Sequence, residues 1–123
     1  MMRENQRRKG AAGEAEAAEY LTAKGVQIVE RNFRCKSGEV DLIGKDGAYL
    51  VFFEVKWRGA EQAGFAAEAV DHRKQRRICA VADYYLYQQG LGEELPVRFD
   101  VVALDGERTE WFQNAFDYCG KGF

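Results

Sequence analysis

Three kinds of residue are scarce in this sequence, which has three cysteines, one histidine and one proline among its 123 residues. Cys35, Cys79 and Cys119 are odd in number and none lies in a CxxC pair, so they fit reduced thiols in a cytoplasm better than a disulfide framework. A single histidine makes neither a zinc site nor a Ser-His-Asp triad, and we interpret His72 as a surface residue of a helix. Without a proline-rich linker, nothing in the composition divides the chain.

The sequence also lacks a long hydrophobic segment and an excess of positive charge. Its longest apolar run, residues 48–53, is far too short to span a bilayer. The polar, basic residues 1–9 have no apolar centre of the kind found in secretory signals. The formal net charge is −2, which argues against a protein that coats nucleic acid through bulk positive charge. We therefore expect no membrane association, and any contact with nucleic acid must come from a local patch.

What the sequence does contain fits one α/β domain over residues 1–123, with residues 1–9 forming a frayed basic end. Hydrophobic periodicity and turn residues predict a helix, three strands, a second helix and two further strands, in the order α-β-β-β-α-β-β with a mixed sheet. The predicted elements are a helix over 8–24, strands over 26–34, 39–43 and 48–57, a helix from 66 or 71 to 89, and strands over 97–104 and 109–112.

Acidic residues at alternate positions mark the second and third predicted strands. Because side chains alternate across a strand with a period of two, Glu39 and Asp41 share one face of the second strand. Glu54 and Lys56 likewise share one face of the third. Charged side chains in otherwise apolar strands need a reason, because burying an unpaired charge is costly. A bound divalent cation is one reason, and a buried ion pair is the other.

Asp41, Glu54 and Lys56 form the pattern Asp-x12-Glu-x-Lys. Two carboxylates on adjacent strands suit Mg²⁺ or Mn²⁺, which prefer oxygen ligands. A nearby lysine can orient or deprotonate a metal-bound water, or stabilise charge that develops on a phosphate. Those groups suffice for metal-assisted hydrolysis of a phosphodiester. The alternative is that Glu54 and Lys56 form a solvated cross-strand pair.

The predicted hairpin sets a geometric condition on this metal site. A two-residue turn within the turn signal at residues 44–47 would place Asp41 opposite Leu50. Leu50 is four residues from Glu54, which corresponds to about 13 Å along a strand, too far for a shared metal ion. The metal interpretation therefore requires a wider loop or a β-bulge that shifts the register.

The first predicted helix supplies a third acid. One arc of its helical wheel holds small or apolar residues, namely Ala11, Ala15, Ala17, Ala18 and Leu21. Glu14 falls inside this arc, whereas Glu16 and Glu19 lie outside it. We expect Glu14 to point inward, with the alternative that it lies at the end of the arc and reaches solvent.

The first half of the second helix is rich in cations, namely Arg73, Lys74, Arg76 and Arg77. These side chains form either a solvated helix face or a phosphate-contacting patch beside the acids. Arg58 follows the third strand directly and is a further candidate for contact with nucleic acid.

Residues spread over nearly the whole chain carry a resemblance to a known family. They are Gly10, Gly13, Glu14, Tyr20, Leu21, Gly25, Arg31, Asn32, residues 38–43, 53–58 and 74–78, Tyr85, Leu86, and residues 98–102 and 114–116. On these positions the chain resembles the YraN-like family of small bacterial proteins, predicted to be endonuclease-like. It is more distantly similar to archaeal Holliday-junction resolvases and to the PD-(D/E)xK nuclease superfamily.

The resemblance implies a restriction-endonuclease-like core with a mixed central sheet flanked by helices. The superfamily's catalytic pattern falls on Asp41, Glu54 and Lys56, and its acid on the first helix falls on Glu14. Asp41, Glu54 and Glu14 would hold Mg²⁺ or Mn²⁺. Lys56 would be the catalytic lysine, and Glu39 would support the ligands from behind. By analogy with the resolvases, a homodimer is expected.

We therefore interpret the sequence as that of a metal-dependent endonuclease that hydrolyses DNA, with structured or branched DNA as the expected substrate. The rival interpretation is a non-catalytic nucleic-acid-binding module that acts with a partner in DNA processing or uptake. A pure scaffold fits the near-neutral charge but leaves Glu14, Asp41 and Glu54 unexplained.

Overall fold

A computed structural model of the protein describes residues 2–57, 70–92 and 94–120, with side chains described from residue 11 onward. Within these ranges the chain forms two helices and five strands in the predicted order. They are α1 (Met2–Ala23), β1 (Gln27–Cys35), β2 (Gly38–Asp46), β3 (Tyr49–Trp57), α2 (His72–Gln88), β4 (Val97–Leu104) and β5 (Thr109–Phe112). None of the described helices is both long and apolar enough to cross a membrane.

The five strands form one mixed sheet in the order β1-β2-β3-β4-β5. Neighbouring strands are antiparallel except for β3 and β4, which run parallel. A parallel pair needs a long connection, and α2 lies in the segment that joins these two strands. The predicted α/β class, mixed sheet and element order are confirmed.

Each face of the sheet is covered by one helix, which gives three layers. On one face, Phe52 and Phe99 of the central strands pack in a buried cluster with Ile78 and Val81 of α2. On the other face, Phe53 lies in a second cluster that holds α1 residues together with further residues of β2–β4. Strand β3 contributes to both clusters because its successive side chains point to opposite faces. The site described below draws its residues from both helices and from β2 and β3.

Helix α1 differs from its prediction at both its start and its buried face. It begins at Met2, whereas the prediction gave a start near residue 8 and a frayed end before it. The early start has a physical reason, because residues 2–9 are mostly Arg, Lys, Glu, Gln and Asn, with no glycine or proline. Ala11 and Ala15 are exposed, and the buried row instead includes Gly13, where an added Cβ would lie 2.5 Å from the indole nitrogen of Trp57. The helix therefore packs closely on the sheet beside Glu14.

The β2–β3 hairpin has its two-residue turn at residues 47–48, later than predicted. Gly47 has φ of 61°, a left-handed conformation that glycine adopts readily, whereas Gly44 lies within β2. Gly44 is needed for packing, because a Cβ there would lie 2.8 Å from Cγ1 of Val26. The register pairs Leu42 with Phe53. Neither a wider loop nor a bulge between β2 and β3 is needed to bring the acids level.

A buried charge elsewhere in the sheet is fully satisfied by protein groups. Asp100 of β4 is completely buried and accepts hydrogen bonds from Arg98, from the indole N–H of Trp111 and from the backbone N–H of Asn114. Arg98 also donates to Asp46 at 2.8 Å. This network supplies the partners that a buried carboxylate requires, so Asp100 needs no ligand to explain it.

Candidate active site

Asp41 lies at a point where β2 changes the face that it presents. Val40 packs in the cluster on the α2 side and Leu42 in the cluster on the α1 side, although residues two apart in a regular strand share a face. Across β1, the pairs Phe33–Val40 and Arg31–Leu42 bracket Asn32, whose φ is 53°. The irregular backbone at Asn32 and Asp41 turns the Asp41 carboxylate to a position that a flat strand would not give it.

The Asp41 carboxylate also extends the ladder between β2 and β3. The backbone pairs of these strands end at Leu42 and Phe53, and the next amide, that of Val55, donates to Oδ2 of Asp41 at 2.7 Å. A side-chain acceptor thus takes the place of a backbone carbonyl, and continuing the register by one pair brings Asp41 level with Glu54. Two acids separated by twelve residues in sequence are therefore neighbours in the fold.

Glu14 of α1 is half-buried and hydrogen-bonds to Asp41 and to the side chain of Asn32. Burial and the negative charge of Asp41 raise the pKa of Glu14, and the hydrogen bond from Asn32 offsets this only in part. Burial also raises the pKa of Asp41, although the Val55 amide, the charge of Lys74 and the interaction with Glu14 act in the opposite direction. Because like charges repel, two neighbouring carboxyl groups hold one negative charge more readily than two.

Glu54 is the most deeply buried acid of the site, with 6% of its surface exposed. Burial, followed by the charge of Asp41, raises the pKa of Glu54 to about 7. The hydrogen bond and charge of Lys74, together with the charge of Lys56, hold the pKa below the value that burial alone would give. Lys56 is half-buried two residues further along β3, on the same face as Glu54.

Lys74, one of the four cations predicted to form a solvated face or a patch beside the acids, belongs to this site. Its ammonium forms an ion pair with Oε1 of Glu54. Burial lowers the pKa of Lys74, but the hydrogen bond and charge of Glu54 and the charge of Asp41 outweigh that effect, so the pKa is raised overall. The residue lies in the first turn of α2, where the side chain of Asp71 caps the helix by accepting the Lys74 backbone N–H at 2.8 Å.

A signal for this placement was present in the sequence. Lys74 precedes Ile78, Val81 and Tyr85 by four, seven and eleven residues, which is the spacing of one helix face. All three of those residues are buried against the sheet. A lysine at the start of a buried stripe points toward the core side of its helix, whereas Arg73, Arg76 and Arg77 are exposed.

The structure places the remaining predicted residues in different surroundings. Glu39 is exposed and forms an ion pair with Arg34 at 2.9 Å, so it does not support the ligands by contact; it acts on Glu14 and Asp41 only through its charge. The prediction for Glu39 is wrong because the change of face at Asp41 separates two residues that a regular strand would keep together. The prediction for Arg58 lies outside the described residues.

Arg77 and Arg34 line an open cleft of about 600 Å³ that also includes Lys74. This cleft runs between α2 and the turn that joins β1 to β2, and it reaches the acidic site through Lys74. Cations beside a cluster of carboxylates are the arrangement that a nucleic-acid backbone would need near a metal ion, because each phosphate carries a negative charge.

We expect Arg73 and Arg77 to contribute to DNA affinity. Neutralising both to Gln should reduce the slope of log K against log salt by roughly two units, since each phosphate contact contributes about 0.9. The measurement is a fluorescence-anisotropy titration at several salt concentrations. Lys24→Gln with Lys45→Gln is the matched control, because Lys45 pairs with Leu50 toward the far end of the hairpin. An equal loss of slope in both double variants would contradict a patch beside the site.

The acids of the site fit a hard divalent cation in their chemistry, since Glu14, Asp41 and Glu54 offer only carboxylate oxygens. Over residues 11–57, 70–92 and 94–120, no three His, Cys, Asp or Glu side chains are already arranged around a common point as a metal cage. Glu54 is instead turned toward Lys74, and Glu14 toward Asp41. Part of the negative charge that a cation would neutralise is balanced by Lys74.

Sequence comparison assigns the chain to a family. Residues 13–104 match the sequence model of the uncharacterised protein family UPF0102. The chain belongs to this family. It is 46% identical over 117 residues to a UPF0102 protein of Lachnoclostridium phytofermentans, in an alignment that covers 95% of this chain and 99% of that protein. It is 50% identical over 115 residues to a UPF0102 protein of Symbiobacterium thermophilum, in an alignment that covers 89% of this chain and 97% of that protein.

The match confirms the resemblance to the YraN-like family. It includes Glu14, Asp41, Glu54, Lys56 and Lys74, so the whole candidate site lies within the matched region. The names of these UPF0102 relatives state no activity. Function must therefore be argued from the chemistry of the site.

Proposed function

We propose that this UPF0102 protein hydrolyses phosphodiesters in DNA with the help of Mg²⁺ or Mn²⁺, and that structured or branched DNA is its substrate. One observation carries the proposal: Asp41 and Glu54 are level on adjacent strands, with Glu14 of α1 hydrogen-bonded to Asp41. Like charges gathered in a partly buried site raise one another's pKa values and destabilise the folded protein. A function that uses the charges gives a reason for keeping them together.

Each residue has a role in this proposal. Asp41 and Glu54 would hold the metal ion, and Glu14 would be a further ligand or would position the attacking water. The bound metal would polarise the phosphate and lower the pKa of water. Lys56, on the same face as Glu54, would stabilise the negative charge that develops on the phosphate. The exposed arginines of α2 would contact phosphates beside the scissile one.

The surroundings of the reaction are also part of the proposal. The net charge of −2 leaves recognition of DNA to the local patch of α2 and to the cleft lined by Arg34 and Arg77. A homodimer would match the two-fold symmetry of a four-way junction. The three cysteines are free thiols, which suits the proposed cytoplasmic location.

A second candidate function is a DNA-binding module without catalysis. It is favoured by the ion pair between Lys74 and Glu54, which satisfies the deepest acid of the site without a metal ion. In that case the acids and lysines form a structural network and only the cationic surface has a function. The two candidates differ in whether a metal ion changes anything the protein does.

A cleavage assay separates them. The wild type is incubated with Mn²⁺ and linear, nicked and four-way junction DNA, with Glu54→Gln as a control that keeps the volume of the side chain. We expect metal-dependent cleavage that is strongest on the junction, and a loss of at least about 100-fold in the variant, because ligand losses reach this size even for residues behind the ligands. DNA binding of equal strength in chelator and in Mn²⁺, with no cleavage of any substrate, would favour the binding module.

A further inference from the structure

The ion pair between Lys74 and Glu54 differs from the buried ion pair between Arg98 and Asp100. Arg98 and Asp100 are almost completely enclosed, with side-chain exposures of 11% and 0%, and three hydrogen bonds join them. The side chain of Lys74 is 43% exposed, while that of Glu54 is only 8% exposed. The partly exposed side chain of Lys74 thus reaches into the site, where its ammonium meets a buried carboxylate.

Resting on the function proposed above, we propose that Lys74 occupies the place of the metal ion in the metal-free protein and becomes a phosphate contact once the metal binds. Glu54 would then have two alternative cationic partners, the lysine and the divalent ion. Lys74 is a positioning residue in this scheme, because its positive charge holds the Glu54 carboxylate in place before the metal ion binds.

Charge and geometry support an exchange of partners. The negative charge of Asp41 also repels that of Glu54, so the metal-free site needs a positive charge nearby. Lys74 supplies it. A divalent ion placed against the same carboxylates would repel an ammonium a few ångströms away. The stem of Lys74 starts in the first turn of α2 and also lines the cleft that contains Arg34 and Arg77. If the metal ion displaces the ammonium from Glu54, Lys74 can therefore turn into this cleft, where a phosphate could reach it.

The first test is a calorimetric titration with Mg²⁺ at pH 8.5, comparing the wild type with Lys74→Met. The variant keeps most of the side-chain volume and removes the competing charge, so we expect it to bind Mg²⁺ about tenfold more tightly. Arg76→Met is the matched control, since Arg76 is an exposed cation of the same helix, and its affinity for Mg²⁺ should stay within about twofold of the wild type.

The outcomes separate this inference from the proposed function. If the wild type and Lys74→Met both fail to bind Mg²⁺, the metal site itself is wrong and the inference falls with it. If the wild type binds Mg²⁺ and Lys74→Met binds it equally or more weakly, the metal site stands and only the exchange of partners is overturned.

The second test asks whether the metal releases Lys74 to DNA. The quantity measured is the slope of log K for DNA binding against log salt, in chelator and in Mn²⁺. It is compared between Lys56→Met and the double variant Lys56→Met with Lys74→Met, because the Lys56 substitution is intended to prevent cleavage. We expect Lys74→Met to reduce the slope by about one unit in Mn²⁺ and to leave it unchanged in chelator. An equal effect under both conditions would show that Lys74 contacts DNA without being released, which contradicts the exchange.

Discussion

Asp41→Asn is expected to melt at a higher temperature than the wild type in chelator at pH 8, and to lose the stabilisation that Mg²⁺ or Mn²⁺ gives the wild type. At that pH Glu54, whose pKa is raised to about 7 by burial and by the charge of Asp41, carries a negative charge beside Asp41, and burial and the charge of Asp41 also raise the pKa of Glu14. The asparagine removes one charge at nearly constant volume. Its amide oxygen can still accept the Val55 N–H that Asp41 accepts at 2.7 Å.

The metal-dependent half of this result has a predictable size. A ligand that binds only the folded state adds RT ln(1 + [L]/Kd), which is about 1.4 kcal/mol at ten times Kd. For a chain of this length that corresponds to a rise of about 5 °C in the wild-type melting temperature. Asp41→Asn lacks one ligand and should gain little.

Thermal melts of both proteins in chelator and in excess Mn²⁺ decide the matter. The structure sharpens the expectation, because Lys74 pairs with Glu54 and keeps that partner when the Asp41 charge is lost. If Asp41 were instead a structural ion-pair partner, its removal would destabilise the protein. An Asp41→Asn variant that melts lower in chelator, with no shift by metal in either protein, would contradict the metal site.

The metal-free wild type should lose stability as the pH rises from about 5 to 8, and Glu54→Gln should remove much of that loss. The pKa of Glu54 is raised from 4.5 to about 7 in the folded protein. Between these two values the folded state binds more protons than the unfolded state, so the free energy of unfolding falls with increasing pH. The full contribution of Glu54 is present below pH 4.5 and is lost above pH 7.

The expected size follows from the same shift. A displacement from 4.5 to about 7 corresponds to a few kcal/mol, on the order of 3. The neutral amide of Glu54→Gln resembles the protonated acid, so the variant and the wild type should have equal free energies of unfolding near pH 4.5. At pH 8 the variant should be more stable than the wild type by about that amount. Urea unfolding at several pH values in chelator measures the difference. A difference that does not change with pH would show that Glu54 is an ordinary ionised carboxylate.

Much of the fold could be predicted because its signals are local. The bounds of β4 and β5 agree with the predicted strands, since Pro96 and the Asp105–Gly106 turn mark where β4 begins and ends. The end of α2 is likewise marked by Gly90, whose φ is 65°. Where a residue's identity follows from local backbone conformation, the sequence is enough.

The hairpin shows where local signals fail. The local sequence predicts a turn at Gly44, but this residue is a glycine because Val26 approaches it from another part of the chain. Glycine has two uses, backbone freedom and close packing, and only the tertiary structure tells them apart. The resulting shift of the turn removes the difficulty that stood against the pairing of Asp41 with Glu54.

The candidate site could likewise be predicted only in part, where local signals were enough. Strand alternation places Glu54 and Lys56 on one face of β3. It does not place Asp41, because β2 changes face there, and the helical arc that indicated Glu14 includes Ala11 and Ala15, which are exposed. Helix periodicity places Lys74 on the core side of α2, but neither its pairing with Glu54 nor the conformation of Asn32 could be predicted from local signals. The first depends on how α2 packs over the sheet, and the second has a positive φ that no regular strand would have.

The most direct measurement of the metal site is a crystal structure of the wild type grown with Mn²⁺ at pH 8, with anomalous diffraction recorded near the manganese absorption edge. We expect one strong anomalous peak between the carboxylates of Asp41 and Glu54, at a distance of about 2.0–2.3 Å from their oxygens, with the ammonium of Lys74 moved away from Glu54. The absence of a peak at these carboxylates, with the Lys74–Glu54 ion pair intact, would contradict a divalent metal site in this protein.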